Sequence, residues 1–197
     1  GYSTISPIPL AESASWDMDA IKLSSKIAAM EAAASGINWT FAPMVDISRD
    51  ARWGRVMEGA GEDPYLGSKI AEARVKGLQG DNLSDPLTIA ACAKHFAGYG
   101  FAEGGREYNT TVISGDILYN KVLPPFKACV DAGVATFMSG FNQMNGIPVT
   151  GHVKLQRKIL KGQWEYEGMI VSDWGSIGEM TVHGYAANEK EAGLKAI

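Results

Sequence analysis

The chain has 197 residues, 46% of them hydrophobic and 20% charged, with a formal net charge of -4 and a pI near 5.4. That balance fits a globular protein with a sizeable core. Its acidity, with no basic stripe, excludes a nucleic-acid binder as partner, and no apolar stretch approaches the roughly 20 residues of a membrane-spanning helix. Cys92 and Cys129 have no metal-type spacing and read as small buried residues.

In chain order, a helix is predicted over 17–34, ending before Gly36. The run 37–41 (Ile-Asn-Trp-Thr-Phe) reads as a strand, followed by a long polar loop to Pro64. Asp63 is placed to cap the next helix, 65–78, with Pro64 in its first turn. The segment 87–96 holds a second strand. A helix follows over 116–132, interrupted at Pro124-Pro125 and stopped by Gly133. Then come a strand at 134–138, a helix at 153–161, a strand at 168–171 and a helix from Asn188 onward. This alternation, without a hairpin signal, predicts parallel strands joined by helical crossovers. The spacing between strands predicts an α/β fold of the (β/α)8, TIM-type barrel class, present as an incomplete barrel with about four βα units. A doubly wound sheet is the alternative, weakened because no Gly-rich dinucleotide turn follows any strand. No cofactor-binding signature and no metal-ligand cluster is read in the sequence. The chain opens at Gly1 and stops at Ile197 inside a helical pattern, so residues 1–197 are expected to be an interior part of one catalytic barrel domain. Such a piece, with two open sheet edges, is expected to be inactive and poorly stable by itself.

The chemistry gathers after the strands. The apolar run Met169-Ile170-Val171 stops at Ser172-Asp173-Trp174-Gly175, placing a carboxylate where a strand leaves the core. Capping the helix that could begin near Gly175 is the competing structural role for Asp173. Lys94, His95 and Phe96 end the second strand. Asp46, Arg49, Asp50, Arg52, Trp53 and Arg55 follow the first, and Ser139, Phe141, Asn142 and Asn145 follow the third. Cations, amides, aromatic rings and a carboxylate on one face suit a polyhydroxylated ligand: hydroxyls need donors and acceptors, and ring faces favour flat apolar platforms. Arg52 and Arg55 could also pair with Asp46, Asp50 or Glu58 and order the loop. Trp53 reads as loop packing.

Five segments together resemble the glycoside hydrolase family 3 barrel, in its bacterial β-glucosidase branch. They are Asn38-Trp39-Thr40-Phe41-Ala42-Pro43-Met44-Val45-Asp46, Asp50-Ala51-Arg52-Trp53-Gly54-Arg55 with Glu62-Asp63-Pro64, Ala93-Lys94-His95-Phe96-Ala97-Gly98-Tyr99-Gly100, Phe141-Asn142-Gln143-Met144-Asn145-Gly146-Ile147-Pro148 and Val171-Ser172-Asp173-Trp174-Gly175. The resemblance covers essentially the whole chain. It implies a retaining β-glucosidase that removes terminal β-D-glucosyl residues from a β-glucoside or oligosaccharide substrate, with no cofactor. Another exo-activity of the family, such as β-xylosidase, is the alternative. It implies Asp173 as nucleophile, Lys94, His95 and Arg55 as the groups that hold sugar hydroxyls, and Trp174 as part of the subsite wall. Phe141 falls where many members carry a tyrosine, so a polar role there is lost. A following α/β sandwich domain, a periplasmic or secreted location and an upstream substrate-binding aspartate belong to the same expectation. Retaining hydrolysis also needs a general acid. Glu103, Glu107 and Glu179 are local candidates, but none ends a strand, and in the family the acid usually comes from beyond Ile197.

Two other function classes bear on the same residues. Lys94 could form a Schiff base in an aldolase-type barrel, but it would need an apolar setting, and His95 and the arginines make a polar one. A non-catalytic carbohydrate-binding barrel would be marked by loss of Asp173, which is present.

Overall fold

The fold is that of a computed structural model, which describes residues 3–196. The first long helix, α2 (Met18–Ala34), follows a short α1 (Pro9–Ser13). Asp17 caps α2 by accepting the Ala20 N–H at 2.9 Å. Asp63 does the same for α3 (Pro64–Gln79), accepting the Leu66 N–H at 2.6 Å, with Pro64 at the first helical position as expected. Each such cap stabilises its helix by about 1 kcal/mol. The two helices lie against each other at Gly77, where a methyl group would come within 2.5 Å of the Lys22 carbonyl oxygen. Only hydrogen fits there, so a glycine inside α3 is a packing requirement despite its low helix propensity.

A parallel sheet of three strands forms the centre, in the order β1 (Cys92–Phe96), β3 (Thr136–Ser139) and β6 (Met169–Ser172). Cys92 pairs with Thr136 and Thr136 with Met169, while Phe96 and Ser172 both face Ser139. All three strands therefore end level. The register slips between Lys94 and Phe96, so His95 is the extra residue of a bulge, a device that re-aims side chains at the ends of strands. The crossover from β1 to β3 is broken as expected. It comprises α4 (Gly115–Ile117), a π-helical turn Leu118–Val122 and α5 (Pro124–Asp131). Pro124 and Pro125 lack N–H groups, and Leu123 instead donates to the Leu118 carbonyl at 2.9 Å. The crossover to β6 is the π-helical segment Lys154–Gln163, and the chain closes with α6 (Ser176–Val182) and α7 (Glu189–Ala196). Phe96 meets Phe126 and Phe137 edge-on in the main core, and Tyr166 joins them through Phe137.

The expected (β/α)8 barrel, even as a four-unit arc, is not formed. The described residues build two small sheets of three strands each, with helices around them. The predicted strand at 37–41 fails to join. It pairs with its neighbour in two out-of-step pieces, an isolated bridge from Trp39 to Ala90 and another from Met44 to Lys94, with the Cys92 N–H bonded to the Ala42 carbonyl at 2.8 Å between them; Pro43, which has no N–H to offer, lies where the pieces meet. Three short strands, each rotated about 20–25° from the next, cannot curl round to close on themselves. The second strand also starts late, at Cys92. Upstream of it, Ile89 and Ala91 give their N–H groups to the Leu78 carbonyl and the Gln79 side chain instead of to a ladder.

The second sheet corrects the expectation of no hairpin. Its order is β2 (Thr110–Thr111), β4 (Gln143–Met144) and β5 (Ile147–Pro148), with β4 and β5 antiparallel. Asn145 and Gly146 turn between them at φ of 51° and 88°, the conformation an Asn-Gly hairpin turn requires. The dipeptide was visible in the sequence; two-residue strands gave it no alternating flanks.

Gln79 ties the sheet to α3. Its side-chain oxygen accepts from Ala91 (3.1 Å) and Ala135 (2.8 Å), and its amide donates to the Gly133 carbonyl at 2.9 Å. Replacement by leucine orphans buried backbone groups at the entry to β1 and β3, at about 1–3 kcal/mol each. Gln79→Leu is expected to lower stability by about 2–4 kcal/mol, read as a lower urea midpoint with an unchanged slope.

Candidate active site

Because β1, β3 and β6 end level, His95, Gly140 and Asp173 emerge at one edge. The His95 ring lies between two carboxylates. Its Nδ1 is 2.9 Å from Asp46 Oδ2, which also accepts the His95 backbone N–H at 2.8 Å. Its Nε2 lies 3.4 Å from Asp173 Oδ2. The Asp46 and His95 side chains are 1% exposed and that of Asp173 is 14% exposed. Asp173 Oδ1 accepts the Trp174 N–H at 2.7 Å, its backbone N–H donates to Ser139, and its Oδ2 is buried with no hydrogen-bond partner among the described residues. The side chain does not cap α6, whose N-cap is Gly175 at φ 69°. The structural role that competed for Asp173 is therefore not the one it plays.

The other expected site residues are distributed around this line. Tyr99 sets its ring edge-on to His95, with centroids 5.1 Å apart, and Phe141 lies 6.0 Å beyond Tyr99. Phe141 is buried, and its ring also meets Tyr108 at 4.3 Å. Arg55 stands over the Tyr99 ring, 5.6 Å from its centroid, and its Nε donates to Glu58 Oε1 at 2.6 Å. Lys94 is half-buried, and its charge reaches Glu58. Trp174 is 90% exposed, and among the described residues no aromatic ring packs against its indole. A cavity of about 300 Å³ opens beside Lys94 and Glu58, towards Pro43, Met44, Ser24 and Arg74; Asp173 does not line it. Among the described residues, no three His, Cys, Asp or Glu side chains gather as a metal site, and no helix is long and apolar enough to cross a membrane.

The whole chain, residues 1–197, matches the model of the glycosyl hydrolase family 3 N terminal domain. The chain belongs to glycosyl hydrolase family 3. It is 44% identical over 192 residues to a periplasmic beta-glucosidase of Salmonella typhimurium, covering 98% of this chain and 25% of that protein. It is 38% identical to a beta-xylosidase of Formosa agariphila, covering 100% of this chain and 28% of that protein. A crystal structure of a mutant beta-glucosidase from Listeria innocua in complex with laminaribiose superposes with a TM-score of 0.97 at 45% identity, over 100% of this chain and 28% of that one. The chain thus spans about a quarter of the length of these family 3 relatives.

Within this family 3 chain, sequence reasoning missed the places of two residues, Asp46 and Tyr99. Asp46 was weighed as an ion-pair partner for the arginines, yet it faces His95; Arg52 pairs with Asp50 at 2.6 Å and Arg55 with Glu58. The available signal was the same one that marks Asp173, an apolar run halting at a carboxylate. Tyr99 had no such signal, whereas the Arg55–Glu58 pair is one of those the sequence offered. Tyr99 donates its hydroxyl to Glu107, and burial first, then that bond, push its pKa up. Of the local acid candidates, Glu103 and Glu107 are exposed, while Glu179 on α6 has its pKa raised by burial and, further, by Asp173.

The Arg55 hydrogen bond holds the Glu58 carboxyl below its ordinary value of 4.5, with the Arg55 and Lys94 charges acting in the same direction. A lowered folded-state pKa contributes stability that is present above the ordinary value and lost as pH falls through the folded one. Both partners are partly solvated, so the pair contributes below about 1 kcal/mol. Arg55→Gln is expected to move the Glu58 titration upward, towards 4.5, followed by carboxyl carbon chemical shift against pH.

Proposed function

We propose that the full protein is a retaining β-glucosidase and that this chain supplies its nucleophile, Asp173. The observation that carries the reading is the free, buried Oδ2 of Asp173 at the end of β6, beside His95. Such an oxygen is available to attack an anomeric carbon and form a glycosyl ester, the first of two displacements in retaining hydrolysis. Lys94 and Arg55 hold the sugar hydroxyls through charge-assisted hydrogen bonds, and the His95 ring adds a further hydrogen bond. Phe141 provides an apolar surface, and Trp174, exposed beside Asp173, forms part of the subsite wall. A general acid outside this chain protonates the leaving oxygen, since none of Glu103, Glu107 and Glu179 ends a strand. The substrate is a terminal β-glucoside, and the protein works in the periplasm, as the name of the Salmonella relative supports.

The Formosa relative supports a second reading, a β-xylosidase. Turnover of nitrophenyl β-xyloside well above that of the β-glucoside would favour it.

In the full-length protein, Asp173→Asn is expected to abolish hydrolysis of nitrophenyl β-glucoside with the fold intact, because an amide is a far weaker nucleophile. Lys94→Ala and His95→Ala are expected to weaken transition-state binding by about 2–4 kcal/mol each, read from kcat/KM. A fluoro-glucoside should label Asp173 in a tryptic digest. Full activity of the Asp173→Asn enzyme, with reversion by deamidation excluded, would place the nucleophile elsewhere.

A further inference from the structure

Asp46 is buried as deeply as His95 and lies on the side of the ring away from Asp173, so it has no evident place in binding sugar. Its Oδ2 accepts the His95 backbone N–H, which shows that this oxygen acts as an acceptor. The ring atom Nδ1 lies 2.9 Å from the same oxygen. Two lone pairs at that separation would repel, so Nδ1 must bring a hydrogen. In neutral imidazole the other nitrogen, Nε2, then carries a lone pair. A proton on Nε2 instead would point across 3.4 Å at Asp173 Oδ2, the one unbonded oxygen of the nucleophile. Hydrogen-bonded there, that lone pair would be a poorer attacker.

We infer that Asp46 is a positioning residue that holds the His95 ring proton on Nδ1, so that Nε2 meets the sugar as an acceptor and Asp173 Oδ2 stays free to react. The inference rests on the proposed role of Asp173. The oxygen at the Oδ2 position carries this effect more than its charge does. In Asp46→Asn the His95 backbone N–H would select the amide oxygen for that position, which preserves an acceptor for Nδ1–H. In Asp46→Ala no acceptor remains.

The test has two arms on the full-length protein. In the first, 15N-histidine labelling and nitrogen–proton couplings locate the ring proton of His95, assigned by the signal lost in His95→Gln. A proton on Nδ1 alone is expected; one on Nε2, or on both nitrogens, overturns the inference. This arm needs no activity, so it judges the proton's placement even if no aryl glycoside is turned over, a result that would sink the proposed function instead. In the second arm, Asp46→Ala is expected to lower kcat by about 100-fold or more with a smaller change in KM, and Asp46→Asn by only about 10-fold, as for loss and weakening of one oriented polar group. In the His95→Gln background, Asp46→Ala should add little, since its effect passes through the ring. Equal losses in the alanine and asparagine variants, or losses additive with His95→Gln, overturn it. If Asp46→Ala does not fold, the labelling arm and the asparagine variant still decide.

Discussion

Level termination of three parallel strands is the constraint on which the rest of the structure depends. Thr136 is in register with both Cys92 and Met169, and Ser139 faces both Phe96 and Ser172. A shift of one residue in any strand would turn its side chains to the opposite face. His95 and Asp173 come from positions 78 residues apart in the chain, yet meet at 3.4 Å because β1 and β6 both stop opposite Ser139, at the same end of β3. Gln79, bonded to the entries of β1 and β3, holds that alignment from the opposite edge.

The site is therefore a product of backbone geometry before it is one of side-chain chemistry. The bulge at His95 adds a residue just where β1 ends, which turns its ring between Asp46 and Asp173. Tight packing then keeps the ring in place. A methyl group at Gly140 would come within 3.3 Å of the His95 Cβ and 2.8 Å of the Asn142 Oδ1, and one at Gly100 within 2.2 Å of the Ile47 carbonyl oxygen. Small residues at these points let three loops close over one another. Tyr99 then occupies the space between His95, Trp53 and Phe141.

Charge is arranged with the same economy. Arg52, largely exposed, is neutralised by Asp50 and serves the loop. Arg55, half-buried, is paired with Glu58 while lying over Tyr99; burial works against its charge, and the Glu58 bond more than offsets this, raising its pKa. The two carboxylates that flank His95 are treated alike. Asp46 gives Oδ2 to His95 and Asp173 gives Oδ1 to the Trp174 N–H, and the second oxygen of each is buried without a hydrogen-bond partner among the described residues. Burial makes an unpaired oxygen costly, and such a cost is usual where a group is held ready for chemistry.

The sequence by itself determined the helices and the residue types of the site. Asp17 and Asp63 announced two helix starts, Pro124-Pro125 announced a broken crossover, and Asp173 announced itself by ending an apolar run; these are local signals, and local chemistry satisfies them. The family followed from several motifs in order, because their spacing carries information that no single motif does. Sheet membership was decided only by the tertiary structure. The segment 37–41 has strand character, but pairing depends on a partner's free N–H and C=O groups and on Pro43, and it made bridges instead of a strand. The same holds for Asp46: its neighbours in sequence pointed to the arginines, whereas its partner lies 49 positions away, brought there by the bulge in β1. Contacts between distant residues depend on register, and register is set by the packing of the whole sheet.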